Sequence, residues 1–253
     1  MNRKNVIFID SGIGGISTLT RALNELNFKA IYFADTAFAP YGNKRKQNIQ
    51  KRLKGVVFEL VNTYHPECIV LACNTATTTS IKYLRKHFPT TCFIGTEPAV
   101  RLAKMLGFSS PLLIATVQTI RSIKNHKCQL LSMKDLASNI ENYLITHSFK
   151  SFYSLLKDIF KIKQACKNSD CLVLGCTHYV LIRDLISKYI KQPIIDGNGG
   201  VSKQIARMLK QESSKQTPDN HLVIFKFSSK DKVKQEKYKK ILNQILAKPI
   251  NLC

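Results

Sequence analysis

The chain has 253 residues, 44% hydrophobic and 22% charged, enough apolar material for a sizeable core, which excludes a disordered or fibrous chain. Lys and Arg number 39 against 16 Asp and Glu, a formal net charge of +23. The excess is 30 Lys to 9 Arg, and Lys is the generic solubilising cation rather than the bidentate reader of bases and phosphates, so charge alone does not assign a nucleic-acid partner.

The length fits one large domain or two small ones. The pattern opens with a β-rich run, Val6 to Ile9, and the glycine-rich loop Asp10-Ser11-Gly12-Ile13-Gly14-Gly15. A helix is expected over Ser17 to Leu26 with Ser17 as N-cap, then a strand over Ala30 to Ala34. Pro40-Tyr41-Gly42 reads as a turn, and Asn43 to Thr63 as a long helix stopped by Pro66. Cys68 to Ala72 is a continuous apolar run, as in a parallel strand buried on both faces, and a Thr-rich turn and a helix to about His87 follow it. The second half repeats the plan. A strand is expected at Leu112 to Ala115, with helices over Val117 to Met133, Asp135 to His147 and Phe149 to Lys167. Strands at Cys171 to Leu174 and Ile194 to Ile195 flank a helix over Tyr179 to Lys191. A strand at His221 to Phe227 and a basic helix at Lys230 to Ala247 close the chain. This alternation predicts an α/β fold with mainly parallel sheets.

One internal repeat is visible. Glu67-Cys68-Ile69-Val70-Leu71-Ala72-Cys73-Asn74-Thr75 matches Asp170-Cys171-Leu172-Val173-Leu174-Gly175-Cys176-Thr177-His178. Two related α/β halves, each with a cysteine at the C-terminal end of a central strand, are the economical reading, and chance likeness between buried strands is the alternative. Ligands in open α/β sheets bind at those strand ends.

There are eight cysteines and no Cys-x-x-Cys pair. Without an apolar leader segment at Met1 to Asn5, a disulfide framework is not expected, and the spacing does not favour zinc, so no metal site is expected. The longest apolar runs are too short to cross a bilayer, and a cytoplasmic location with no membrane partner is expected. Most of the cysteines read as small buried apolar residues. Cys73 and Cys176 differ, because each lies between a strand and a helix N-terminus, where unpaired N–H groups favour a thiolate. One thiol on each wall of a cleft suits removal of a proton from a carbon and its return to the opposite face, without a cofactor. His178 and Asp10 are placed to tune these thiols, or to pack and to cap a turn. A dinucleotide reading of Gly12 to Gly15 fails on its third glycine, where Ser17 stands, and on the negative charge of Asp10.

Asp10-Ser11-Gly12-Ile13-Gly14-Gly15, Pro40-Tyr41-Gly42, Cys73-Asn74-Thr75-Ala76 and Gly175-Cys176-Thr177-His178, in this order and spacing, resemble glutamate racemase of the aspartate/glutamate racemase superfamily. Ile194-Ile195-Asp196-Gly197 resembles a further segment. The resemblance implies two pseudo-symmetric α/β domains with the active site in the cleft between them, residues 1–95 with 212–253 forming one and 96–211 the other. It implies a cofactor-independent isomerase that interconverts L- and D-glutamate and supplies D-glutamate for peptidoglycan. Cys73 and Cys176 would be the two bases, assisted by Asp10 and His178. Ser11, Tyr41, Gly42, Asn74, Thr75, Thr116, Thr119 and Thr177 would hold the substrate. A homodimer is expected and a specific nucleic-acid partner is not. The chain departs from the family pattern at Asn125, where a Tyr is usual, over Leu136 to Asn142, where only Glu141 is acidic, and at Phe227-Ser228-Ser229-Lys230.

Two other readings compete. A superfamily relative acting on aspartate or another amino acid would share the chemistry. A basic nucleic-acid binder would use Lys44, Arg45, Lys46, Lys51, Arg52, Lys54 and the helix from Lys230 to Lys240.

Overall fold

The computed structural model describes residues 3–123, 128–212, 214 and 222–247. Asn125 and His221 lie outside them. The first sheet is built from β1 (Asn5–Asp10), α1 (Ile16–Leu23), β2 (Lys29–Ala34), α2 (Lys46–Tyr64), β3 (Cys68–Leu71), α3 (Asn74–His87) and β4 (Phe93–Gly95). A single 3-10 turn, Tyr41–Asn43, precedes α2, and the short α4 (Val100–Met105) leads to the second half. There β5 (Pro111–Ala115), α5 (Val117–Ser122), β6 (Gln129–Ser132), α6 (Leu136–Thr146), α7 (Phe149–Ala165) and β7 (Cys171–Gly175) follow in turn. The chain continues through α8 (Thr177–Val180), α9 (Arg183–Ser187), β8 (Ile194–Ile195) and α10 (Asn198–Leu209), and ends in β9 (Leu222–Phe227) and α11 (Lys232–Ala247).

All strand pairs in both sheets are parallel. The strand order is β4-β3-β1-β2-β9 in the first sheet and β6-β5-β7-β8 in the second. Read from its other edge, the second sheet is β8-β7-β5-β6, the order of the first four strands of the first sheet. The repeat seen in the sequence is thus a repeat of topology, with β3 and β7 in equivalent places. Both are buried along their whole length, as near-continuous apolar parallel strands require.

Each sheet is covered on both faces. Ile7, Ile9, Ile69 and Leu71 meet α2 residues Ile49, Leu53 and Val57 on one face of the first sheet, while Val6, Phe8 and Val70 meet α1 and α10 on the other. In α7, Ser148 caps the N-terminus by accepting from the Ser151 N–H, and Leu155, Ile159 and Ile162 turn one stripe into the second core. Burying each such side chain stabilises by about 1.5–3 kcal/mol. Half-buried Leu144 and Leu181 touch the cores of both sheets and join them.

Several boundaries differ from the sequence reading. No helix runs to Met133: α5 stops at Ser122, and Gln129–Ser132 is an edge strand paired with β5. Four residues carry too little periodicity to separate an edge strand from a helix turn, and tertiary pairing decides. The helix expected from Tyr179 to Lys191 is two short ones, α8 and α9. Ser17 does not cap α1; the helix starts at Ile16, and the Ser17 hydroxyl donates to the Gly14 carbonyl. The strand β4 and the helices α4 and α10 were not foreseen. The apolar residues of α10, Val201, Ile205, Ala206 and Leu209, join the core of the first sheet.

Candidate active site

The C-terminal edges of the two sheets face each other. Asp10 ends β1, Cys73 lies two residues beyond β3, Thr116 follows β5 and Cys176 follows β7. Cys73 and Cys176 each occupy the residue before a helix, α3 and α8. Both cysteines line one cavity of about 30 Å³, room for a water or two and too small for a ligand of amino-acid size. Ser11, Tyr41, Gly42, Thr75, Thr116 and His178 also line it. Asp10, Asn74, Thr119 and Thr177 stand one step behind. The Asn74 amide donates to the Thr96 carbonyl (2.8 Å), and the Thr177 hydroxyl donates to Asp10 Oδ2 (3.2 Å).

Groups expected to hold a substrate contact one another beside the cavity. The hydroxyls of Thr75, Thr116 and Thr119 form a triangle with sides of 2.9–3.0 Å. Thr75 comes from α3 of the first sheet, and the other two from the start of α5. Gly42 lies so near Thr116 that a Cβ on it would come within 2.9 Å of the threonine Cβ. Gly14 lies against His178, whose backbone nitrogen would be 2.7 Å from an added Cβ. Gly12 and Gly14 therefore serve close approach between halves.

His178 is buried between two partners. Its Nδ1 lies 4.0 Å from Cys176 Sγ and its Nε2 3.0 Å from Glu141 Oε2. Burial works against a charged imidazole, but the bonds to Cys176 and Glu141 and the charge of Asp10 outweigh it and raise His178 well above its ordinary range. The other Glu141 oxygen accepts from the Tyr238 hydroxyl of α11. Glu141 thus ties the second cysteine to the C-terminal helix. The sequence reading noted Glu141 only as a departure, because its link to His178 spans 37 positions. Lys134, also unforeseen, is an exposed cation on the cavity lining.

The two thiols have unequal surroundings. Burial pushes the Cys73 thiol far up, and the charges of Asp10 and Cys176 add to this, against the backbone N–H groups of Ala76 and Thr75. Asp10 is raised by burial, opposed by the charge of His178, the Gly12 N–H (2.7 Å) and the Thr177 hydroxyl. Cys68, inside β3, is pushed up to about 12 by burial and is a packing residue. Among the described residues no group of three or more His, Cys, Asp or Glu side chains is placed to hold a metal ion.

No protein-family model matches the chain. A curated glutamate racemase of Aliarcobacter butzleri is 34% identical over 226 residues, 83% of this chain and 85% of that one. Another, of Halothermothrix orenii, is 34% identical over 93% of this chain and 98% of its own. The chain belongs to the glutamate racemase family. It is accordingly an isomerase. A glutamate racemase of Francisella tularensis, solved in complex with D-glutamate, superposes with a TM-score of 0.73 over 99% of this chain and 96% of that one, at 23% identity. The two parallel sheets facing one cleft are therefore the family's fold.

Proposed function

We propose that this racemase interconverts L- and D-glutamate without a cofactor, the thiols of Cys73 and Cys176 acting on opposite faces of the α-carbon. The observation that carries the reading is the placing of two cysteines, from equivalent strands of two like sheets, around one small cavity. The curated relatives' activity supports the substrate. Acting on L-glutamate, Cys176 works as the thiolate beside the imidazolium of His178. It takes the α-proton and becomes a thiol, and the electron pair stays on the α-carbon. Cys73 then gives its proton to the other face and is left a thiolate. The reverse direction runs the same transfers backwards, with Asp10 next to Cys73. Each step conserves protons and needs no oxidant.

Ser11, Thr75, Thr116, Thr119 and Thr177 would supply hydroxyls, Asn74 its amide, and Tyr41 and Gly42 backbone N–H groups to the substrate. The Tyr41 hydroxyl is given to Asp35 (2.8 Å), which leaves the main chain of this turn to face the ligand. The cavity is too small for glutamate, so binding requires the threonine triangle to part. We also propose that the chain works as two units, 1–95 with 212–253 against 96–211, with α10 lending its apolar face to the first. A homodimer, a cytoplasmic location and supply of D-glutamate for peptidoglycan complete the reading. No helix among the described residues is long and apolar enough to cross a membrane.

The test is chiral chromatography of glutamate after incubation with wild type, Cys73→Ser and Cys176→Ser. Racemisation by the wild type and a fall of about 10²-fold or more in each variant are expected. Wild-type turnover of aspartate but not glutamate would move the protein to another substrate. Full activity in either variant would remove the two-thiol mechanism.

A further inference from the structure

Asp35 follows directly on β2 and is wholly buried. A buried carboxylate is costly unless paired and hydrogen-bonded. Here a single guanidinium supplies the pairing. Arg52, in the second turn of α2, donates from Nη2 to Asp35 Oδ1 (2.6 Å) and from Nε to Oδ2 (2.9 Å), a two-point fork. The same Oδ2 accepts from the Tyr41 hydroxyl. Tyr41 is itself fully buried, edge-on to Phe38 at 6.0 Å between ring centroids. Burial and the charge of Asp35 hold its phenol far above the ordinary range, so it remains a donor.

Tyr41 and Gly42 form part of the cavity wall, and Gly42 packs against Thr116. The tyrosine side chain is the root of that turn, and its hydroxyl donates to the carboxylate that Arg52 clamps.

We infer that Arg52 is a positioning residue for the racemase reaction: through Asp35 and Tyr41 it fixes the Tyr41–Gly42 main chain against the bound substrate. The inference rests on the proposal that this turn contacts glutamate. It also reassigns Arg52, which in the sequence belongs to a basic stretch, from a free surface charge to a bound one. Arg52 touches no cavity atom itself. Without the fork, Asp35 is left buried with one neutral donor, and the carboxylate either takes a proton or draws in water. In both cases Tyr41 loses its fixed anchor, and the turn samples positions that bind substrate less well. The chemistry at the two sulfurs is not changed directly, so the effect falls on KM more than on kcat.

The experiment compares wild type, Arg52→Met, Arg52→Lys, Tyr41→Phe and the Arg52→Met/Tyr41→Phe double variant. KM and kcat are measured with both enantiomers, and the Kd of D-glutamate is measured by calorimetry. Arg52→Met should raise KM and Kd about tenfold, with a smaller change in kcat. Arg52→Lys keeps the charge but not the fork and should fall between. The double variant should be no worse than the more affected single one, because both changes cut one chain of contacts. If Arg52→Met does not fold, Arg52→Lys gives the same readout. A variant with lowered Tm but unchanged KM and Kd would overturn the inference, as would additive effects in the double variant. A wild type that does not racemise glutamate would count against the proposed function instead, and the Kd series would still judge the clamp.

Discussion

At the scale of single residues, the central asymmetry is that His178 stands between Cys176 and Glu141, while Cys73 has the charge of Asp10 and two backbone N–H groups nearby and no imidazole bonded to it among the described residues. A charged His178 places a positive charge beside the Cys176 sulfur, and on the proposed mechanism that is the side from which L-glutamate is attacked. Because folding raises the His178 pKa, its stabilising contribution is complete below the unfolded value of about 6.5 and fades as pH rises through the higher folded value. Glu141→Gln removes the carboxylate that helps hold the proton. That variant should be about 1.5–3 kcal/mol less stable than wild type near pH 6, with the gap narrowing as pH is raised. Urea unfolding at a series of pH values checks this, and a gap constant with pH would mean that His178 is not charged in the folded protein. The two cysteines that line the cavity were legible in the sequence as a pair because each sits at a strand end inside a repeated segment. Glu141, Arg52 and Asp35 were not, because their roles come from contacts between side chains far apart in the chain, which local pattern does not encode.

At the scale of elements, the glycine-rich loop after β1 is one place where the halves pass in direct contact. A methyl group on Gly14 would meet His178, including its backbone nitrogen, which no side-chain rotation can clear. Gly14→Ala should therefore leave far-UV circular dichroism unchanged and lower kcat/KM by about 100-fold, the cost expected of displacing one reacting group by an ångström. Unaltered turnover in this variant would show that the loop gives way without moving His178. The strands were largely readable where the chain is apolar without a break, as in β3 and β7, because such runs admit few other structures. The two-residue β8 was read from its isoleucines. The edge strand β6 and the three-residue β4 were lost, since their identity is set by the strand alongside. In α10 the run Asn198-Gly199-Gly200 looks like a turn, yet these residues open a helix whose apolar stripe begins only at Val201.

At the scale of the whole molecule, the net charge of +23 sets up a long-range positive field. Lys134 is an exposed cation on the cavity lining, and the substrate proposed carries net negative charge. Raising ionic strength from about 10 to about 300 mM shortens the screening length severalfold. It should lower kcat/KM for glutamate while leaving kcat nearly constant, measured with a non-chelating monovalent salt. Equal loss in both parameters would point to a salt effect on the folded state instead. The small cavity adds a second whole-molecule requirement. On the proposed function, the triangle of Thr75, Thr116 and Thr119 parts as glutamate enters and re-forms around it. The measurement that tests the two-thiol account most directly is isotope incorporation from D2O during early conversion of L-glutamate. With a separate base on each face, the D-glutamate formed carries deuterium at the α-carbon while the remaining L-glutamate keeps its protium. Deuterium appearing in the remaining L-glutamate as fast as D-glutamate forms, or D-glutamate retaining protium, would contradict it.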